Sequence, residues 1–275
     1  IKQKTQKKAI SLKRAGAYFA EFGARRRYSF ENQLIVTKEL KEYGGHYFVG
    51  TSNVYVAFLL HVNPIGTMAH EWIMAHAAMC GFNSANFTAL KSWKKVYKGY
   101  LGTSLSDTYT TKDFFRSFGK EYAELFTGIR QDSGDPIEFA KHVIEHYKSL
   151  GIDPTTKTIV FSDALDVEKV NEIMDFCRGK IKSSYGIGTN FSNDVGVKAL
   201  NIVIKLDEVE LQDGMVVPTV KLSDSSGKHT GNKEMIKLCL LTLGLLSDAK
   251  AGGFINNAGY IKIDTTKIYA NAKNC

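Results

Sequence analysis

The sequence predicts an α/β fold in which a parallel sheet is wrapped by helices. Short β-branched or aromatic runs alternate with segments of helical periodicity along most of the chain. The polar residues of the central units fall where the strands end, which is where parallel sheets gather their sites. Of the 275 residues, 44% are hydrophobic and 23% charged, enough to bury a sizeable core and outside the range of disordered, collagenous or coiled-coil chains.

Residues 46–49 read as a short strand, and Gly50-Thr51-Ser52-Asn53 follows with hydroxyls and an amide suited to cap the next helix. Gly66-Thr67 opens a helix that Gly81 stops, and residues 91–98 form a basic amphipathic piece. A strand over 100–105 ends in Ser106-Asp107, and a helix over 112–125 repeats apolar residues at 114, 115, 118, 122 and 125. A strand over 126–129 leads into the polar loop Arg130-Gln131-Asp132-Ser133-Gly134-Asp135, with Asp135 as N-cap and Pro136 in the first turn of a helix that Gly151 ends. Residues 158–161 form a β-branched strand closed by Ser162-Asp163, a helix covers 167–178, and a strand over 183–185 enters Gly186-Ile187-Gly188-Thr189. Two antiparallel strands, 201–206 and 215–222, flank a Gln212-Asp213-Gly214 turn, and a last helix spans 233–243.

Thr51-Ser52, Ser106-Asp107, 130–133, Ser162-Asp163 and 186–189 thus share the C-terminal rim of the sheet. An α/β barrel and a doubly wound sheet both place their ligands there, so topology alone leaves the two open.

The formal charge is +8, but six cations, Lys2, Lys4, Lys7, Lys8, Lys13 and Arg14, crowd the first fourteen residues without an acidic neighbour, and the remainder carries only +2. Such local basicity argues against general nucleic-acid binding. The longest apolar stretch, 238–246, is broken by Thr242 and Gly244 and falls short of the roughly 20 residues a bilayer requires, so no membrane span is expected. Cys80, Cys177, Cys239 and Cys275 are far apart and form no zinc-type spacing, which predicts a reduced, cytoplasmic protein. The chain opens at Ile1 with neither an initiator Met nor a signal-peptide h-region, and is expected to be the later part of a longer protein.

Five segments offer chemistry. Gly186-Ile187-Gly188-Thr189-Asn190 permits close backbone approach to an anion; it is neither a Walker A motif nor a dinucleotide fingerprint, and reads equally as a phosphate cradle or a tight turn. The 130–135 loop combines a fixed cation, carboxylates and a hydroxyl suited to an anion, a ribose diol and magnesium, although capping alone accounts for Asp135. Asp163 occupies a similar strand-end position, with an N-cap as its simpler reading. His70 lies near a helix start, and its next histidine, His76, is too far for a His-Glu-x-x-His zinc helix; by itself it reads more readily as a core or surface residue. Arg25-Arg26-Arg27 beside Phe22 suits stacking and carboxylate binding, or a solvated basic turn.

Seven ordered segments resemble the nicotinate phosphoribosyltransferase family: 21–28 (EFGARRRY), 48–53 (FVGTSN), 64–72 (PIGTMAHEW), 127–136 (TGIRQDSGDP), 158–166 (TIVFSDALD), 185–189 (YGIGT) and 220–224 (VKLSD). The resemblance implies an incomplete (β/α) barrel of the type II phosphoribosyltransferase kind over 1–200. Residues 201–275, a hairpin plus a helix, would complete a smaller domain whose N-terminal part is missing, and a ring-stacking aromatic from that part has no counterpart here. It further implies a homodimer that joins nicotinate to phosphoribosyl diphosphate with ATP hydrolysis, the histidine matching His70 being phosphorylated.

On that resemblance, Arg130, with magnesium on the diphosphate, neutralises the leaving group, while Asp132 and Asp163 meet ribose hydroxyls or hydrated magnesium. Gly186, Gly188 and Thr189 cradle the 5′-phosphate, Phe22 and Arg25 border the pyridine ring and its carboxylate, and Thr51, Ser52 and Ser133 line the substrate site. Lys221 either touches phosphate or is a solvated strand-edge lysine. Relatives that use nicotinamide carry an aspartate near Ser52, so Ser52 favours the acid over the amide. The GTMAHEW histidine segment argues against a quinolinate-using relative, and a non-catalytic dimerising or ligand-binding remnant is the alternative of a different class.

Overall fold

The structure, a computed structural model, describes residues 1–225 and 228–246. Of the smaller domain expected over 201–275, residues 247–275, including Cys275, lie outside the described residues.

In chain order the elements are α1 (Lys2–Ala15), β1 (Tyr18–Glu21), α2 (Phe30–Gly44), β2 (Phe48–Thr51), α3 (Val54–Leu60), α4 (His70–Cys80), α5 (Ala85–Tyr97) and β3 (Thr103–Leu105). Then come α6 (Thr111–Ser117), α7 (Lys120–Leu125), β4 (Gly128–Gln131), α8 (Pro136–Ser149), β5 (Thr158–Phe161), α9 (Val167–Cys177), β6 (Lys182–Ile187) and α10 (Thr189–Ser192). The described elements close with β7 (Glu208–Glu210), β8 (Val216–Pro218) and α11 (Lys233–Thr242).

The chain divides into two compact units. The first comprises 1–68, 101–105 and 123–203; the second comprises 69–100, 106–122 and, among the described residues, those from Ile204 on. This differs from a single cut after residue 200, because α4 packs with α5 and with β7, and draws the middle of the chain into the second unit.

In the first unit six strands form one sheet in the order β2-β1-β6-β5-β4-β3, every neighbouring pair parallel. Started from β3, the order is sequential through β6 and then returns to β1 and β2, as in a barrel opened between β2 and β3. The expected incomplete barrel is therefore the fold found. Phe19, Ile129, Ile159, Phe161 and Ile187 are packed at 0% exposure on one face of the sheet, the face on which Glu21 meets Gln33 of α2. Outside them, α8 buries Phe139, Ala140, Val143 and Tyr147 at helical spacing, and α9 buries Val170 and Ile173.

The loop chemistry works as the sequence predicts at several ends. Asp135 caps α8 through bonds from the backbone N–H of Ile137 (2.9 Å) and Glu138 (2.8 Å), with Pro136 in the first turn. Asn53 caps α3 in the same way. Elsewhere tertiary contacts move the boundaries. The helix expected from Gly66-Thr67 starts only at His70, because residues 65–69 run without helical structure and the Thr67 hydroxyl serves Arg130 rather than capping. The helix expected over 112–125 is two helices, broken after the fully buried Phe118. The basic N-terminus, which shows little apolar periodicity, is helical all the same. It buries only Thr5, Ala9 and Leu12, and Lys4 and Lys8 pair with Asp194.

The second unit packs α4 against α5 and α5 against α6, sets α11 on the turn at Phe82–Ser84 between α4 and α5, and holds β7 of the antiparallel pair β7-β8 against α4. Phe82 and Tyr109 meet edge to face at 5.7 Å within it. Among the described residues no helix is long and apolar enough to cross a membrane.

Candidate active site

In the first unit the C-terminal ends of β4 and β5 build a cation site. Arg130 is the penultimate residue of β4 and pairs in register with Val160 of β5. Its guanidinium donates from Nε to Ser162 Oγ (2.8 Å), from Nη1 to Thr67 Oγ1 (3.0 Å) and from Nη2 to Asp132 Oδ1 (2.6 Å). Ser162 Oγ also lies 2.9 Å from Asp132 Oδ1 and 2.9 Å from the Gln131 carbonyl, so one hydroxyl ties the ends of both strands together. The two charged side chains keep 19% and 24% of their surface exposed. A planar cation oriented at Nε and both terminal nitrogens suits recognition of an anion.

Phe22, just past β1, completes this corner, with the Arg130 guanidinium 5.7 Å from its ring centroid. Its ring lies against Gly186 of β6, where a Cβ would stand 2.4 Å from the Phe22 ring. Gly186 therefore seats the aromatic ring. The backbone N–H of Phe22 donates to the Ile187 carbonyl (2.9 Å), continuing the ladder past the strand end.

Beneath Phe22 is a polar interior. Glu21, wholly buried, accepts from the Gly23 N–H at Oε1 (2.6 Å), and at Oε2 from Gln33 Nε2 (2.8 Å) and Thr51 Oγ1 (2.6 Å). Burial pushes its carboxyl above the usual value, against the lowering effect of these three donors.

The second unit carries the histidine. His70, the first residue of α4 and 5% exposed, places Nδ1 3.0 Å from Thr108 Oγ1 and Nε2 3.7 Å from Asp107 Oδ1. The other carboxylate oxygen of Asp107 accepts from Lys221 Nζ at 3.2 Å. The segment is held by Asp224, which binds the backbone N–H (2.8 Å) and hydroxyl (2.6 Å) of Thr111, while Leu222 N–H donates to the Thr108 carbonyl (2.8 Å). Burial raises the Asp224 carboxyl, opposed by the bonds from Thr111. His76 is a different kind of residue: Nδ1 bonds the Trp72 carbonyl (2.8 Å), Nε2 faces Ser92 Oγ (3.1 Å), and burial lowers its pKa, as for a core histidine.

Comparison with known proteins decides the lineage. Residues 17–243 match the profile of the nicotinate phosphoribosyltransferase (NAPRTase) family. The chain belongs to the nicotinate phosphoribosyltransferase family. It is 51% identical over 245 residues to the nicotinate phosphoribosyltransferase of Chromohalobacter salexigens, covering 89% of this chain and 63% of the relative. It is 46% identical over 226 residues to that of Desulforapulum autotrophicum, covering 82% and 58%. The crystal structure of the Porphyromonas gingivalis enzyme superposes with a TM-score of 0.87 at 46% identity, covering 88% of this chain and 63% of that one. The chain thus spans less than two thirds of the length of these relatives.

Of the nicotinate phosphoribosyltransferase residues singled out in the sequence, Phe22, Arg130, Asp132 and Gly186 come together in the first unit. Asp163 follows Ser162 at the same strand end and is half-buried. Gly188 caps the short α10 and Thr189 opens it, both half-buried. Ser52 is half-buried with its N–H on the Glu21 carbonyl (2.8 Å), and Arg25 is exposed in the turn after Gly23. Thr51 and Ser133 are enclosed instead, at 0% and 3% exposure: the Thr51 hydroxyl serves Glu21, and the Ser133 carbonyl accepts from Gln131 Nε2 (2.9 Å). Lys221 is not a solvated strand-edge lysine but 8% exposed and ion-paired. Glu21, Asp107, Thr108, Ser162 and Asp224 were not among the selected residues. Asp107, Thr108 and Ser162 lie in or next to the strand-end segments, whereas Glu21 closes β1 and opens the EFGARRRY segment, and Asp224 ends the VKLSD segment.

Proposed function

We propose that the protein is a nicotinate phosphoribosyltransferase that works as a homodimer and forms nicotinate mononucleotide for NAD synthesis. The observation that carries this reading is the Arg130 guanidinium, oriented by Ser162, Thr67 and Asp132 and set against the face of Phe22. An aromatic face beside a fixed cation suits a pyridine carboxylate and a diphosphate leaving group.

In the reaction the nicotinate nitrogen bonds to C1 of the ribose as the C1–oxygen bond to diphosphate breaks, through an oxocarbenium-like state. Phe22 stacks on the pyridine, and Arg25 and Ser52 border its carboxylate. Ser52 in place of an aspartate admits the acid and disfavours the amide. Arg130 offsets charge growing on the departing diphosphate. Asp132 and Asp163 hold ribose hydroxyls, and Gly188 and Thr189 receive the 5′-phosphate, while Gly186 contributes by seating Phe22. The hard oxygen donors of this rim, the Asp132 and Asp163 carboxylates, suit Mg²⁺ through its water shell; when bound on the diphosphate, the ion supplies further neutralisation of the leaving group.

ATP is the co-substrate, and its γ-phosphoryl passes to a ring nitrogen of His70, the N–P bond forming as the bond to ADP breaks; water later releases phosphate. Both ring nitrogens face a polar partner, so phosphorylation displaces either Thr108 or Asp107. Lys221, held by Asp107, is the cation suited to the incoming phosphate.

The test supplies nicotinate, phosphoribosyl diphosphate, Mg²⁺ and ATP and measures nicotinate mononucleotide. Product from nicotinate but not nicotinamide, with ATP stimulation lost in His70→Ala, is expected. A folded protein that forms no product would overturn the reading in favour of a non-catalytic binding module. Product from nicotinamide instead would reassign the substrate.

A further inference from the structure

We propose that Glu21 is a positioning residue for Phe22 and thereby sets the affinity of the site for the pyridine ring. The inference rests on the reaction proposed above. Glu21 is a fully buried carboxylate that the chemistry of the reaction does not call upon, and burying such a group is costly unless its geometry is used. Here the geometry is used. Oε1 takes the Gly23 N–H and Oε2 takes Gln33 and Thr51, so donors approach the carboxylate at both oxygens. A glutamine could accept at one end only and would turn its NH₂ toward a second donor.

The result is a clamp on residue 22. The Phe22 N–H is bound to Ile187, the next N–H along, that of Gly23, is bound to Glu21, and the Gly23 carbonyl accepts from Ser192 Oγ (2.9 Å). A Cβ on Gly23 would stand 1.9 Å from Ser192 Oγ, so the loop is seated closely on α10. The Glu21 carbonyl meanwhile accepts from the N–H of Ser52, and its side chain holds Thr51, which couples β2 to the same point. Through Gly23 the buried carboxylate thus fixes the direction in which the Phe22 ring leaves β1 toward Gly186 and Arg130.

Glu21→Gln, Thr51→Val and Phe22→Ala, the double variant Glu21→Gln/Phe22→Ala and the hydroxyl-retaining Thr51→Ser test the clamp by steady-state kinetics on the whole protein. Loss of the clamp is expected to raise the nicotinate KM on the order of tenfold in Glu21→Gln and Thr51→Val. The kcat and the KM for phosphoribosyl diphosphate stay within about twofold. Thr51→Ser keeps wild-type values, and in the double variant Phe22→Ala adds little to Glu21→Gln, because the two act through one contact. An unmoved nicotinate KM in folded Glu21→Gln, or full additivity with Phe22→Ala, overturns the proposal. If Glu21→Gln does not fold, the KM of Thr51→Val decides by the same criterion. No product from the wild type would signal failure of the proposed reaction, whereas product with an unmoved KM would signal failure of the positioning role alone.

Discussion

Lys221 Nζ and Asp107 Oδ2 stand 3.2 Å apart in the interior of the second unit, their side chains 11% and 1% exposed. Their residues are 114 positions apart in sequence. The same carboxylate faces His70, so the ion pair fixes the charge next to the histidine.

Removing Lys221 leaves the buried Asp107 carboxylate without its ion-pair lysine. Lys221→Met is expected to cost about 3 kcal/mol of stability, and Lys221→Met/Asp107→Asn to recover most of it. Chemical denaturation of the two variants checks this, and equal losses in both would count against the pair.

Ser162→Ala deletes the hydroxyl shared by Arg130, Asp132 and Gln131. A loss of about 1 kcal/mol in stability is expected from the missing bonds, with a fall in kcat/KM on the order of tenfold as Arg130 loses its Nε anchor. Thermal melts and initial rates measure the two effects separately.

Gly186→Ala places a methyl 2.4 Å from the Phe22 ring, a rigid group that cannot fold away. The ring must shift, and nicotinate binding followed by calorimetry should weaken more than the melting temperature falls. Unchanged affinity would show that the ring does not meet the ligand.

Glu21 gives a pH signature. Burial raises its folded pKa above the ordinary 4.5, so the folded state binds the proton more readily than the unfolded state. Its contribution to stability is fully present below pH 4.5 and is lost as pH rises through the raised folded value. The stability of the wild type relative to Glu21→Gln is therefore expected to decline as pH rises from that point, read from melting temperatures of both proteins across the window.

Much of this molecule is legible in its sequence because the governing interactions are local. Strand 158–161, the Asp135 cap with Pro136, the helix that follows and the Asn53 cap are set by residues within a few positions of one another. The strand-end polar segments likewise mark the rim on which Arg130, Asp132 and Asp163 lie, since a parallel α/β sheet sends all its strands the same way. Helix α1 was not legible, because it buries only Thr5, Ala9 and Leu12 and its cations hide the period. The late start at His70 depends on Thr67 being engaged by Arg130, 63 residues away.

By itself, then, the sequence determined the α/β class, the order of the segments and the family. Tertiary structure alone decided which hydroxyls and charges turn inward. Thr51 and Ser52 are adjacent and equally polar, yet Thr51 is sealed against Glu21 while Ser52 stays half-buried. Gly186 reads as part of a phosphate cradle or a tight turn and seats an aromatic ring; Lys221 reads as a phosphate contact or a strand-edge lysine and is buried in an ion pair. Each outcome is fixed by a partner distant in sequence, and hydrogen-bond and charge satisfaction in a buried interior is settled only when those partners meet.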